Sequence, residues 1–106
     1  MTLKKSKLAS DAFGNAIQGA LHPTTTTVIA FTDTAAKNNT AIVAEVVRIT
    51  SEQDCYLKFG DSGVVATTSN MPMKAGQPEY FTMDGDTYIS AIRVSVSGNL
   101  FVTIMI

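Results

Sequence analysis

His22 and Cys55 are the two side chains in this 106-residue sequence with the chemistry of a catalytic dyad, one imidazole and one thiol. Members of such a pair meet in space rather than in sequence, so their separation along the chain leaves the pairing open. The surroundings of each argue against it. His22 precedes Pro23 in a connecting segment, and Cys55 lies on the apolar face of the alternating stretch Asp54–Phe59, where a thiol behaves as a small hydrophobe. Asp84 and Asp86, with Asp61 elsewhere, carry the oxygen chemistry of a calcium site. No third acidic residue lies near that pair, and Asp-Gly between two strands is first of all a hairpin turn signal. Glu45, Arg48 and Arg93 interrupt apolar runs. They read as solvent-facing charge on half-buried strands, with cross-strand pairing or a subunit interface as the other uses. The sequence contains no phosphate loop, metal-ligand cluster or Ser-His-Asp constellation. The expectation is a protein that is not an enzyme and uses no cofactor or metal.

Composition narrows the classes further. A chain of this length is one domain. It is 45% hydrophobic and 16% charged, with a net charge of −1. The charged fraction is below the roughly 25% usual for soluble domains. Such a surface is either rich in Thr and Ser or covered in part by a partner. The balanced charge argues against nucleic acid as a partner, which calls for a basic stripe. No apolar run approaches the roughly 18 residues of a membrane helix. Cys55 is the only cysteine, so an intrachain disulfide is impossible. The N-terminus begins with lysines but is broken by Ser10, Asp11, Asn15 and Gln18, unlike a signal peptide.

These side chains must be positioned by strands. From Thr24 onward β-branched residues and period-2 alternation dominate. Strands are expected over Thr24–Thr34, Thr40–Thr50, Asp54–Phe59, Val64–Thr68, Glu79–Met83, Thr87–Ser95 and Asn99–Ile106. A bulge or two-faced burial is expected at the adjacent Val46 and Val47. Turns are expected at Gly60–Gly63, Asp84–Asp86 and Ser97–Asn99, and a loop over Asn70–Pro78. In the last strand Leu100, Val102, Ile104 and Ile106 should face one way and Phe101, Thr103 and Met105 the other. That strand belongs inside a sheet, so the C-terminus is expected in the core and any extension at the other end. About seven strands at roughly ten-residue spacing predict an all-β antiparallel sandwich or barrel, residues 24–106.

Residues 1–23 read differently, as an N-terminal arm or short helix. Phe13, Ala16, Ile17, Ala20 and Leu21 fall at helical spacing, while Gly14 and Gly19 weaken a helix and Pro23 ends it. Lys4, Lys5 and Lys7 supply three of the six lysines, and Leu8, Phe13, Ile17 and Leu21 are candidate apolar anchors for a partner.

The order of motifs from Val46 to Ile106 resembles that of small tailed-bacteriophage virion proteins. An Arg-containing strand, Val46–Thr50, leads to D-C-Y-L-x-F-G at Asp54–Gly60 and V-A-T at Val65–Thr67. M-P-x-x-A-G-x-P-E-Y-F follows at Met71–Phe81, then G-D-x-Y-I-S-A-I at Gly85–Ile92 and S-G-x-L-x-V-T at Ser97–Thr103. The pattern is similar to that of capsid decoration, or cement, proteins and of other phage head and tail accessory proteins. The resemblance implies a β-sandwich of jelly-roll type. It also implies a virion location on the capsid exterior, with the major capsid protein and further copies of the chain, as a dimer or trimer, for partners. Two other roles are a head–tail connector or tail component, separable by copy number per particle, and a carbohydrate- or receptor-binding sandwich. The last would call for exposed aromatics on a loop or flat face. The sequence has no Trp, and Tyr56, Tyr80 and Tyr88 fall within expected strands.

Overall fold

A computed structural model describes residues 21–106. Eight strands form: β1 Pro23–Phe31, β2 Ala36–Lys37, β3 Val46–Ser51, β4 Cys55–Gly60, β5 Met71–Met73, β6 Glu79–Thr82, β7 Tyr88–Arg93 and β8 Gly98–Met105. They make two antiparallel four-stranded sheets, in the orders β1-β8-β3-β6 and β2-β7-β4-β5. First pairs with last, second with seventh, third with sixth and fourth with fifth. That is one long antiparallel hairpin folded at the β4–β5 connection and rolled up. The additional ladders β3–β8 and β4–β7 complete each sheet. The result is an eight-stranded jelly roll, and the expected all-β sandwich is the fold observed.

Alternation places the core between the sheets. In β3 the inward side chains are Val47, Ile49 and Ser51, all buried, while Val46, Arg48 and Thr50 point outward. Ile29 and Phe31 of β1, Leu100 and Val102 of β8, Cys55 and Leu57 of β4 and Ile89 and Ala91 of β7 join them, with Phe59 and Phe81 packed at the side. The rings of Phe59 and Phe81 bridge the two sheets with centroids 5.3 Å apart.

Several sequence expectations are corrected. Thr40–Thr50 is not one strand: residues 40–45 are irregular and the strand begins at Val46. Val46 and Val47 need no bulge, because clean alternation puts the first outside and the second inside. The irregularity lies in β1, where the register with β8 shifts between Pro23 and Thr26. Val64–Thr68 forms no strand. Met71–Met73, read as loop, pairs with Leu57–Cys55 as an edge strand despite Pro72, a position where proline is tolerated. Ile106, expected inside, is 68% exposed, and the ladder stops at Met105.

The Asp84-Gly85 turn forms as expected, with φ of 51° and 87° and the Asp86 N–H donating to the Met83 carbonyl at 2.8 Å. It does not join a hairpin within one sheet. It carries the chain from β6 in one sheet to β7 in the other. Every connection but β4–β5 crosses between the sheets in this way.

Candidate interaction surface

The rolled hairpin separates the two groups of the conceivable dyad. Cys55 starts β4 beside Ser51, whose strand partner is Leu100, whereas His22 pairs through both backbone bonds with Ile106. Six residue steps of extended chain from Leu100 to Ile106 put the two roughly 20 Å apart. Burial pushes the Cys55 thiol above its ordinary value; a contact to the Ser51 hydroxyl opposes this and the nearby Asp54 charge adds to it. The site therefore favours a neutral, shielded thiol, not a nucleophile. Among the described residues no group of three His, Cys, Asp or Glu could hold a metal ion, and no helix is long and apolar enough to cross a membrane. Glu45 is exposed in the β2–β3 connection, Arg48 is half-buried on an outer face, and Arg93 donates to the Ser97 hydroxyl at 3.3 Å. The ion pair that does form among the described residues is Lys74–Asp54, 3.6 Å and solvent-exposed.

The two outer faces of the sandwich differ. Over the β2-β7-β4-β5 sheet the β4–β5 connection folds back: Val64 and Ala66 are buried, and the Ala66 N–H donates to the hydroxyl of outward-facing Ser90 at 2.9 Å. Gly60 leaves room beneath it: an added Cβ would stand 3.0 Å from the Val64 side chain, which would have to shift by a few tenths of an ångström. Beside this cover, Lys37 and Lys58 stay exposed on the same face.

The β1-β8-β3-β6 sheet is clothed differently. Its register lays outward positions in rows: Val28, Phe101, Thr50; then Thr26, Thr103, Arg48, Tyr80; then Met105, Val46, Thr82, of which Met105 is buried. Arg48 is the single charged residue in these rows. Val28 is 54% and Tyr80 39% exposed, and Phe101 is half-buried. Thr26 and Thr103 share a hydroxyl–hydroxyl bond of 2.9 Å across the strands. A sheet face meant only for water would be expected to carry more charge. This one offers flat β-branched and aromatic contact area around one guanidinium.

Of the residues expected to bind a partner, Lys4, Lys5, Lys7, Leu8, Phe13 and Ile17 lie outside the described residues. Leu21 is half-buried and is followed by the His22–Ile106 backbone pair, which joins the start of the described chain to the end of β8. That junction adjoins the Met105 row of the outer face. Sequence reading missed two buried anchors, Asn38 and Ser90. Asn38 is 2% exposed; its amide donates to the Thr40 and Thr87 carbonyls at 2.7 and 3.1 Å, and its oxygen accepts from the Ile89 N–H at 2.9 Å. A polar residue in a connection gives no sign of burial when the partners stand forty-nine and fifty-one positions away. Compared with protein-family models, with curated proteins and with solved structures, the chain matches none.

Proposed function

We propose that this protein is a structural virion component that binds the outside of an assembled phage capsid and stabilises it by clamping neighbouring capsid subunits. The observation that carries this reading is the charge-poor outer face of the β1-β8-β3-β6 sheet, set against the motif resemblance of residues 46–106. Jelly rolls recur in viral shells and in lectins, so fold alone does not choose between them. The exposed side chains lean toward the shell. Tyr80 is the most exposed tyrosine, and it sits in a row with Arg48 beside it and two threonines beyond, not in an aromatic platform. Val28, Phe101 and Tyr80 are already partly buried, so covering what remains exposed contributes only a fraction of the roughly 1.5–3 kcal/mol of a full burial for each. The major capsid protein is the partner, and clamping acts by mass action: binding the assembled shell and not its separated subunits raises shell stability.

The test is to strip particles of this protein, add it back, and measure the temperature or osmotic shock at which they burst. Add-back should raise the threshold and reach a stoichiometry of hundreds per particle. Equal thresholds refute clamping, and about six to twelve copies per particle assign the protein to a connector or tail instead. Tyr80→Asp and Thr50→Lys, both on the outer face and away from β1, should abolish add-back while leaving the melting temperature of the free protein unchanged.

A further inference from the structure

We infer that β1 is an open docking edge that pairs, antiparallel, with β1 of a second copy of this chain. A jelly roll has four sheet edges, and here three are guarded. β2 has two residues and ends in exposed Lys37. β5 has three residues with Pro72 at its centre. β6 has four residues, follows Pro78 and begins with Glu79. Shortness, proline and charge are the devices by which natural sheets avoid edge-to-edge pairing. β1 carries almost none of them. It runs nine residues, PTTTTVIAF, without a charged side chain, and only Pro23 and the adjacent register shift interrupt its start. At about 3.3 Å per residue it presents roughly 30 Å of edge. One side of that edge is laddered to β8, and among the described residues no strand pairs with the other.

The occupant is a second copy because the edge is self-complementary. It has no charge to repel its own image and none for an oppositely charged strand to match. A two-fold axis through Val28 sets Thr26 opposite Ala30 of the second copy and Thr27 opposite Ile29 of the second copy. Residues of equal parity then face each other, so the outer faces of both copies lie on one side of a continuous eight-stranded sheet. The alternating unpaired N–H and C=O groups of each β1 are satisfied by the other. The two charge-poor outer faces, each with Arg48 in its laddered rows, join into one larger surface. The pairing stands independently of the virion reading, because it is a property of the free protein.

The full chain should sediment at twice its monomer mass at micromolar concentration, with little change in high salt. Val28→Cys provides the geometric test. Paired antiparallel residues have Cα atoms about 4.5–5.5 Å apart, within disulfide reach, and the native Cys55 is buried. Under mild oxidation V28C should cross-link into a covalent dimer while V65C, a control on an equally exposed residue across the molecule, stays monomeric. Hydrogen exchange should show protected β1 amides that become fast in Val28→Lys, where two like charges would meet on the axis. A full chain that stays monomeric, or a V28C that cross-links no faster than V65C, overturns the proposal. A monomer with protected β1 amides also overturns it, and assigns the edge to the chain's own N-terminal residues.

Discussion

Asn38 shows how much one buried polar side chain decides. Of the three hydrogen bonds of this one amide, the one to Thr40 closes the β2–β3 connection on itself and the two to Thr87 and Ile89 tie that connection to the start of β7; every partner is a backbone group. Asn38→Ala orphans the Ile89 N–H at a site shielded from water and takes one donor each from the Thr40 and Thr87 carbonyls, the second of which keeps its bond from the Ile42 N–H. The expected cost is about 2–4 kcal/mol in urea denaturation; a loss below about 0.5 kcal/mol would mean that water replaces the amide. Cys55 makes a pH-dependent prediction. Burial favours the neutral thiol, so its folded pKa stands above the ordinary 9.0. Its contribution to stability is whole below the unfolded-chain value and is lost as pH rises through the folded value. The stability difference between the native protein and Cys55→Ala should therefore narrow as pH rises above the ordinary thiol value of 9.0. A difference that stays flat through that rise would contradict the burial of the thiol.

At the scale of elements, β8 holds its sheet together. It ladders to β1 on one side and β3 on the other, and its last residues Thr103–Met105 reach Pro23, Thr26 and Val46–Arg48. Deleting Thr103–Ile106 removes the end of both ladders and uncovers Val47. The loss should be several kcal/mol against a total of about 5–15. A soluble truncated chain with an unchanged melting temperature would refute this account of the core. The Asp84-Gly85 crossing is a second element-level test. Gly85 has φ of 87° and open space where a Cβ would go, so Gly85→Ala meets backbone strain without a clash. The expected cost is about 1 kcal/mol, with Asp84→Gly neutral or slightly stabilising, both read from thermal melts.

For the whole molecule, the asymmetry of the two outer faces is the organising fact. One face is covered by its own β4–β5 connection and keeps two exposed lysines; the other has no described connection folded over it and carries Arg48 as the one charge in its laddered rows. An interface built on the second face depends on apolar contact more than on ion pairs. Attachment to shells should then survive moderate salt, because screening acts mainly on exposed charge. Full release at about 0.5 M NaCl would exclude the apolar mechanism while leaving decoration possible. The three lysines at positions 4, 5 and 7 add a salt-sensitive fraction if the shell surface is acidic. Their deletion should then remove that fraction without lowering the melting temperature of the sandwich.

Strand existence was legible in the sequence wherever one face had to be apolar and the other not. Val47 and Ile49, Cys55 and Leu57, and Leu100 and Val102 announce their strands because alternation is a local consequence of half-burial. Thr24–Phe31 was legible through β-branching, and the Asp84-Gly85 turn through the positive φ that its two residues tolerate. Local pattern could not say that this turn crosses between sheets, since a tight turn has the same chemistry whether the next strand pairs or leaves. It could not find β5, three residues held by β4 rather than by their own propensity. It also read 40–45 as strand, where apolar Ala41–Ala44 carries β-like residues into an irregular crossing. Which outer face is left open, and which strand is an open edge, are properties of pairing between residues more than eighty positions apart, His22 with Ile106 and Pro23 with Met105. The sequence determined that strands alternate and where most of them lie. Only the tertiary roll decided which surfaces those strands leave for a partner, because edges and faces exist only once first has paired with last.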